Sequence, residues 1–145
     1  MDGVLADFDG QPNALDRFIT EERFFQILKP TKLVAKINEL LENPVAREMI
    51  CILSASPNEN ADRDKMFWLW EHMPNLKLEN INIIRGGQGA DERKAFFANE
   101  ESILFDDYSG NLITWTKNGG LGIKVINGKN GKGIKWQGAR LVVEK

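Results

Sequence analysis

The sequence predicts an α/β domain, and three observations predict it. Short apolar runs without alternation lie at 49–53, 81–84 and 102–105, the pattern of strands buried on both faces in a parallel sheet. The stretches between them carry helical spacing, so strands alternate with helices. Polar residues gather at the C-terminal end of each run: Ser54 and Ser56, the glycine loop at 86–89, and Asp106 with Asp107. Open parallel sheets bind their ligands at those ends.

In chain order, 13–28 reads as a first helix, with Leu15, Phe18, Phe25 and Leu28 near one face and Pro30 ending it. A second helix is expected over 31–42. Thr31 is its N-cap, Leu33, Ile37, Leu40 and Leu41 form one stripe, and Asn43-Pro44 stops it. The strand at 49–53 leads through Ser54-Ala55-Ser56-Pro57 into a third helix over 62–72, rich in Met66, Phe67, Trp68, Leu69 and Trp70. After the strand at 81–84 and the 86–89 loop, a short helix is expected over 91–98. The strand at 102–105 ends at the acidic pair, and Ser109 caps a helix through Trp115. The tail differs: residues 119–138 hold seven of the 13 glycines. Alternation at 123–126 followed by Asn127-Gly128 predicts a hairpin, with 141–143 as a closing strand. The chain shows no repeat and no long linker, so residues 1–145 are expected to form one domain.

Composition narrows the chemistry. A net charge of −2, from 19 basic and 21 acidic residues, gives no electrostatic case for nucleic acid polymers or an anionic membrane. A single cysteine, Cys51, excludes an internal disulfide and a cysteine zinc site, and a single histidine, His72, excludes paired-histidine metal motifs. With no 18-residue apolar stretch and no basic-then-apolar leader, the expected location is cytoplasmic. Chemistry must therefore run on carboxylates, hydroxyls and lysines.

Adjacent carboxylates at Asp106 and Asp107 repel, and a hard cation such as Mg²⁺ relieves them with oxygen coordination; a solvated turn capping the next helix is the plainer reading. Ser54 can hold a phosphate oxygen or simply satisfy a turn, with Ser56 as the fallback. Lys94 can balance phosphate charge or merely be solvated. The 86–89 loop has no Gly-Lys-Ser/Thr after it, so it is not a Walker motif.

Met1-Asp2-Gly3-Val4-Leu5-Ala6-Asp7-Phe8 resembles the tail of the first motif, Asp-x-Asp-Gly-Val, of the haloacid-dehalogenase-like phosphohydrolases. It is closest to the 5′(3′)-deoxyribonucleotidase branch, the cytosolic type C 5′-nucleotidases. Three further segments match in order. Ile52-Leu53-Ser54-Ala55 resembles the second motif, Lys94 stands where the third-motif lysine is expected, and Ile103 through Ser109 resembles the acidic fourth motif. The tail from Gly122 to Gly128, with Trp136, is similar to bacterial and phage members, so the resemblance covers nearly the whole chain.

The resemblance implies a Rossmann-like three-layer sandwich with a small helical cap at about 9–47. It implies a Mg²⁺-dependent phosphohydrolase acting on nucleoside monophosphates through an aspartyl-phosphate. Asp2 matches the acid/base, and Ser54 and Lys94 match the phosphoryl-binding groups. Asp106, Asp107 and the Asp2 main chain match the metal site, and Phe24 and Phe25 are candidates to stack on a base or simply to pack the cap, as are Phe8 and Trp68. The family's nucleophile is the first Asp of Asp-x-Asp, and Met1 stands at the x position. The nucleophile and the central strand that carries it therefore precede this sequence, and low or absent phosphatase activity is expected. Unpaired strand edges would favour association, so a homodimer is one expected state. Three readings follow: a nucleotidase whose start lies further upstream, a non-catalytic nucleotide- or phosphate-binding relative acting as an interaction module, and, ranked lowest, a receiver-like α/β domain with acidic residues around Mg²⁺.

Overall fold

The computed structural model of the chain describes residues 1–129 and 136–143; 130–135 and 144–145, which belong to the expected 1–145 domain, lie outside the described residues. It is an α/β structure with short parallel sheets. Strands β1 (Ile52–Ser56) and β2 (Ile81–Arg85) pair in parallel from Ile52 opposite Ile81 to Ser56 opposite Arg85. A separate sheet holds β3 (Ile103–Asp106), β4 (Leu121–Ile126) and β5 (Ala139–Val142) in that order. Among the described residues no strand pairs with the second edge of β1 or of β3.

The strand between the expected positions and the observed ones shifts toward the polar end. β1 begins at Ile52 and runs into Ser54 and Ser56, because its alternating residues serve two cores. Ile52 joins a cluster with Trp68, Leu69, Phe25, Leu41 and Val125, while Leu53, pointing to the other face, packs against Leu104, Leu112 and Trp115. The first cluster is closed by helix α4 (Glu59–His72), whose Trp68 is fully buried and donates its indole N–H to the Leu28 carbonyl at 2.8 Å. The second lies under α6 (Ser109–Lys117), with α5 (Ala90–Ala95) beside it.

The segment expected as one helix over 13–28 is two pieces, α1 (Ala14–Thr20) and a 3-10 turn at Phe25–Ile27. Glu21 is extended and Arg23 has φ 62°, a conformation that ends a right-handed helix. α2 (Lys32–Leu41) lies where expected, but Thr31 does not cap it through its side chain. The hydroxyl donates instead to the Val4 carbonyl at 2.8 Å and ties the N-terminal turn to this region. Asn43-Pro44 stops α2 by starting another helix, α3 (Pro44–Met49). Asn43 Oδ1 accepts the N–H groups of Val45 and Ala46, and Pro44 occupies the first turn, where its missing N–H costs nothing. α4 likewise starts earlier than expected, because Asn58 accepts from the Ala61 N–H at 2.9 Å. The expected hairpin at Asn127-Gly128 is not formed: β4 and β5 run parallel, with Ile123 opposite Ala139 and Ile126 opposite Val142. Asn127 donates to the Gly3 carbonyl and to Asp9, which fastens the sheet to the N-terminal turn, while its Oδ1 accepts the Lys129 N–H in a local turn. No helix among the described residues is long and apolar enough to cross a membrane.

Candidate functional site

A pocket of 640 Å³ opens where the C-terminal ends of β1 and β3 come together, with Ser54 and Ala55 from one and Asp106 from the other. It is lined by Asp2, Ser54, Lys94, Asp106 and Asp107, which come from four separate stretches of sequence, together with Gln88, Tyr108, Asn111 and Thr114.

The N-terminal turn supplies one wall. The Met1 carbonyl accepts the N–H groups of Val4, Leu5 and Ala6, which folds residues 1–6 into a compact loop with Val4, Leu5 and Ala6 buried. Gly3 makes that loop possible in two ways. Its φ is 68°, and a Cβ there would overlap the Asp107 carboxylate. Asp2 thereby reaches the pocket and forms an ion pair with Lys65 at 2.7 Å.

Lys65 was not anticipated from the sequence. It sits in the middle of α4, where a lysine ordinarily faces water, yet its side chain is fully buried. Its ammonium donates to Ser54 Oγ at 2.8 Å and to the Ala55 carbonyl at 2.6 Å, faces Asp2, and lies 5.0 Å from the ring centroids of both Phe18 and Phe25. Burial lowers the Lys65 pKa, with Asp2 opposing that shift. For Asp2, burial raises the pKa, but Lys65 and the other nearby cations outweigh it and hold the carboxyl below its usual value. The available sequence signal was its position eleven residues after Ser54: β1, a tight turn and the first turns of α4 bring the two together.

The opposite wall is built on β3. Lys94, near the end of α5, ion-pairs with Asp106 at 2.7 Å, and both side chains are buried. Asp106 also accepts from Asn111 Nδ2 at 3.0 Å and, on its other oxygen, from the Tyr108 N–H at 2.8 Å. Lys124 braces the turn by donating to the Asp107 carbonyl and to Ser109 Oγ. Ser109, expected as a cap, is therefore the first residue of α6 and a buried acceptor, while Tyr108 holds the cap position. Across the mouth, Thr114 donates to Asp91 at 2.6 Å and joins α6 to α5.

Asp107 is the electrostatically exposed member of the set. Burial, then the neighbouring Asp106, and further Asp9 and Asp2, raise its pKa to about 7. Burial is the larger cause, and the neighbouring carboxylates add to it.

The chain fits no family model and no curated protein.

The remaining sequence candidates lie elsewhere. Ser56 is buried beside Ser54 but donates to the Asn58 carbonyl at 3.1 Å and does not line the pocket. Phe24 and Phe25 are fully buried in an aromatic cluster with Phe8, Phe18 and Trp68, and none of these five reaches the pocket. Packing is therefore the role the structure gives them, and stacking on a base is not.

The donor set suits a divalent cation only in one form. Among the described residues no three Asp, Glu, His or Cys side chains are grouped as a ligand set. Mg²⁺, however, commonly takes one or two carboxylates and completes its shell with waters and substrate phosphate. Asp106 and Asp107 both line the pocket and are the carboxylates placed to join such a shell, while Asp2 faces Lys65.

Proposed function

We propose that this pocket binds the phosphoryl group of a nucleoside monophosphate, in a haloacid-dehalogenase-like domain of the 5′-nucleotidase type. The observation that carries the reading is the convergence of Asp2, Ser54, Lys94, Asp106 and Asp107 on one pocket, the residues that the four ordered motifs select.

The protons are available where such a ligand needs them. An ammonium has three N–H donors, and Lys94 directs one to Asp106, which leaves two for phosphoryl oxygens. Ser54 accepts from Lys65, which leaves its own hydroxyl proton for donation. In this reading Asp107, with Asp106 and Asp2 near it, would hold Mg²⁺, which when bound neutralises phosphate charge. Lys94 and Ser54 orient the phosphoryl group against the strand ends, and Lys65 fixes Asp2 and Ser54 in place.

A second reading has its own support. Lys65 keeps Asp2 ionised, which suits accepting a proton from water but opposes donating one to a leaving nucleoside. That pairing favours a relative that binds nucleotide and turns it over slowly or not at all. Phosphate release from deoxyribo- and ribonucleoside monophosphates with Mg²⁺, beside calorimetric binding of the same compounds, separates the two. Turnover lost in Lys94→Gln supports the hydrolase. Tight binding without turnover supports the non-catalytic relative. Binding of neither nucleotide nor inorganic phosphate sinks both.

A further inference from the structure

We infer that Tyr108 and Gln88, which both line the pocket, form the nucleobase subsite, so that the sheet's own loops and not the helical segment over 9–47 select the base. The inference rests on the phosphate reading above and names what the rest of the ligand touches.

Two independent observations lead there. The first removes the alternative. The aromatic residues of the 9–47 region, Phe18, Phe24 and Phe25, are all buried, at 6%, 1% and 0% exposure, and pack edge-on or tilted against Phe8, Trp68 and one another. To offer a ring face to a base, any of them would have to leave the core, and no residue from 3 to 53 lines the pocket.

The second supplies the replacement. Tyr108 lines the pocket with its side chain 62% exposed. Its backbone N–H is held by Asp106, the same carboxylate that holds Lys94, so its main chain is fixed beside the proposed phosphoryl-binding lysine. Its orientation is built rather than incidental. The ring lies over Gly110, where a Cβ would come within 2.6 Å of the tyrosine Cε1, so the glycine is what lets the ring fold along the start of α6. The 86–89 loop lines the same pocket through Gly87, Gln88 and Gly89. Gly87 and Gly89 take φ of 86° and 77°, and Arg93 clasps the loop by donating to the carbonyls of Arg85, Gly86 and Gln88. Every one of these bonds uses main-chain oxygens, which leaves the Gln88 amide, exposed and lining the pocket, with both a donor and an acceptor for a base edge. An aromatic face for stacking and an amide for edge recognition are the two elements that base binding requires. A pocket of 640 Å³ holds a mononucleotide.

Calorimetric titration of the full chain with inorganic phosphate and with a nucleoside monophosphate tests this. Tyr108→Ala is expected to weaken the nucleotide roughly tenfold and to leave inorganic phosphate within about twofold, while Tyr108→Phe keeps the nucleotide affinity. Gln88→Ala is expected to change the ratio of affinities among the four bases. If Tyr108→Ala leaves the nucleotide unaffected, or weakens phosphate and nucleotide equally, the base subsite is wrong, although the phosphate site stands. If the wild-type chain binds neither compound, the phosphate reading fails first and takes this inference with it. Tyr108 is exposed enough that the alanine variant should fold, which circular dichroism on the same samples verifies.

Discussion

Lys65 and Lys94 each hold, at 2.7 Å, an aspartate that lines the same pocket, yet their surroundings assign them different work. Lys65 is fully enclosed. Its three N–H donors face Asp2, Ser54 Oγ and the Ala55 carbonyl, and two phenylalanine rings cover what remains. Lys94 makes one hydrogen bond among the described residues, to Asp106, and Asp106 has two other donors of its own. A lysine whose donors are all committed positions its neighbours; a lysine with donors to spare can hold a ligand. The distance alone does not distinguish them. The inventory of donors does.

Four predictions break or sharpen that contrast. The largest concerns stability. Lys65→Met leaves Asp2 Oδ1 buried without its counter-charge and is expected to cost about 3 kcal/mol, read from urea denaturation, because removing one partner of a buried pair strands the other. Lys94→Met should cost clearly less, since Asp106 keeps Asn111 and the Tyr108 N–H; equal losses would erase the distinction.

The second is the reverse in binding. Lys94→Gln is expected to weaken inorganic phosphate about tenfold or more, a loss in the range for one charged hydrogen bond to a ligand, at a smaller cost in urea stability than Lys65→Met.

The third is a pH dependence. The folded pKa of Asp107, about 7, lies above its ordinary value of 3.8. The folded state therefore holds this proton more tightly than the unfolded chain. The stability it contributes is complete below about pH 4, drains as pH rises, and is gone above about pH 7. Asp107→Asn should remove that slope from a plot of stability against pH, and saturating Mg²⁺ should flatten it in the wild-type chain. A slope unchanged in the variant would show that another group causes it.

The smallest concerns a helix end remote from either lysine's ammonium. Asn58→Ala deletes the cap of α4 and the bond to the Ile19 carbonyl, at an expected cost of about 1 kcal/mol in the same urea experiment. Phosphate affinity should not move; if it does, α4 transmits more to Lys65 and Ser54 than its packing implies.

Much of this molecule was legible from residue patterns because local signals agreed with packing. The apolar runs near 52, 81 and 103 became parallel strands, and the polar residues after them, Ser54, Asp106 and Asp107, meet in one pocket. The failures have physical causes. Asn127-Gly128 carries a strong turn signal, but the Asn127 side chain is drawn to Gly3 and Asp9, 124 and 118 residues away, partners that no local window contains. Asn43-Pro44 reads equally as a stop or a start, and its capping bonds to Val45 and Ala46 decide for a start. In sequence Phe8, Phe24 and Phe25 read equally as base-stacking or as packing residues; their mutual packing with Phe18 places them in the core. Lys65 escaped because the rule that lysines face water is sound on average, and it takes a carboxylate, a hydroxyl and a carbonyl from three other positions to overturn it.

The most direct test of the central claim is a ³¹P NMR titration of inorganic phosphate into wild-type, Lys94→Gln and Lys65→Met chains, each first shown to be folded. The account predicts saturable line broadening for wild type, its loss in Lys94→Gln, and retained though weakened binding in whatever folded fraction of Lys65→Met survives. Wild-type affinity in Lys94→Gln would contradict it, because the wall that has donors to spare would then hold nothing.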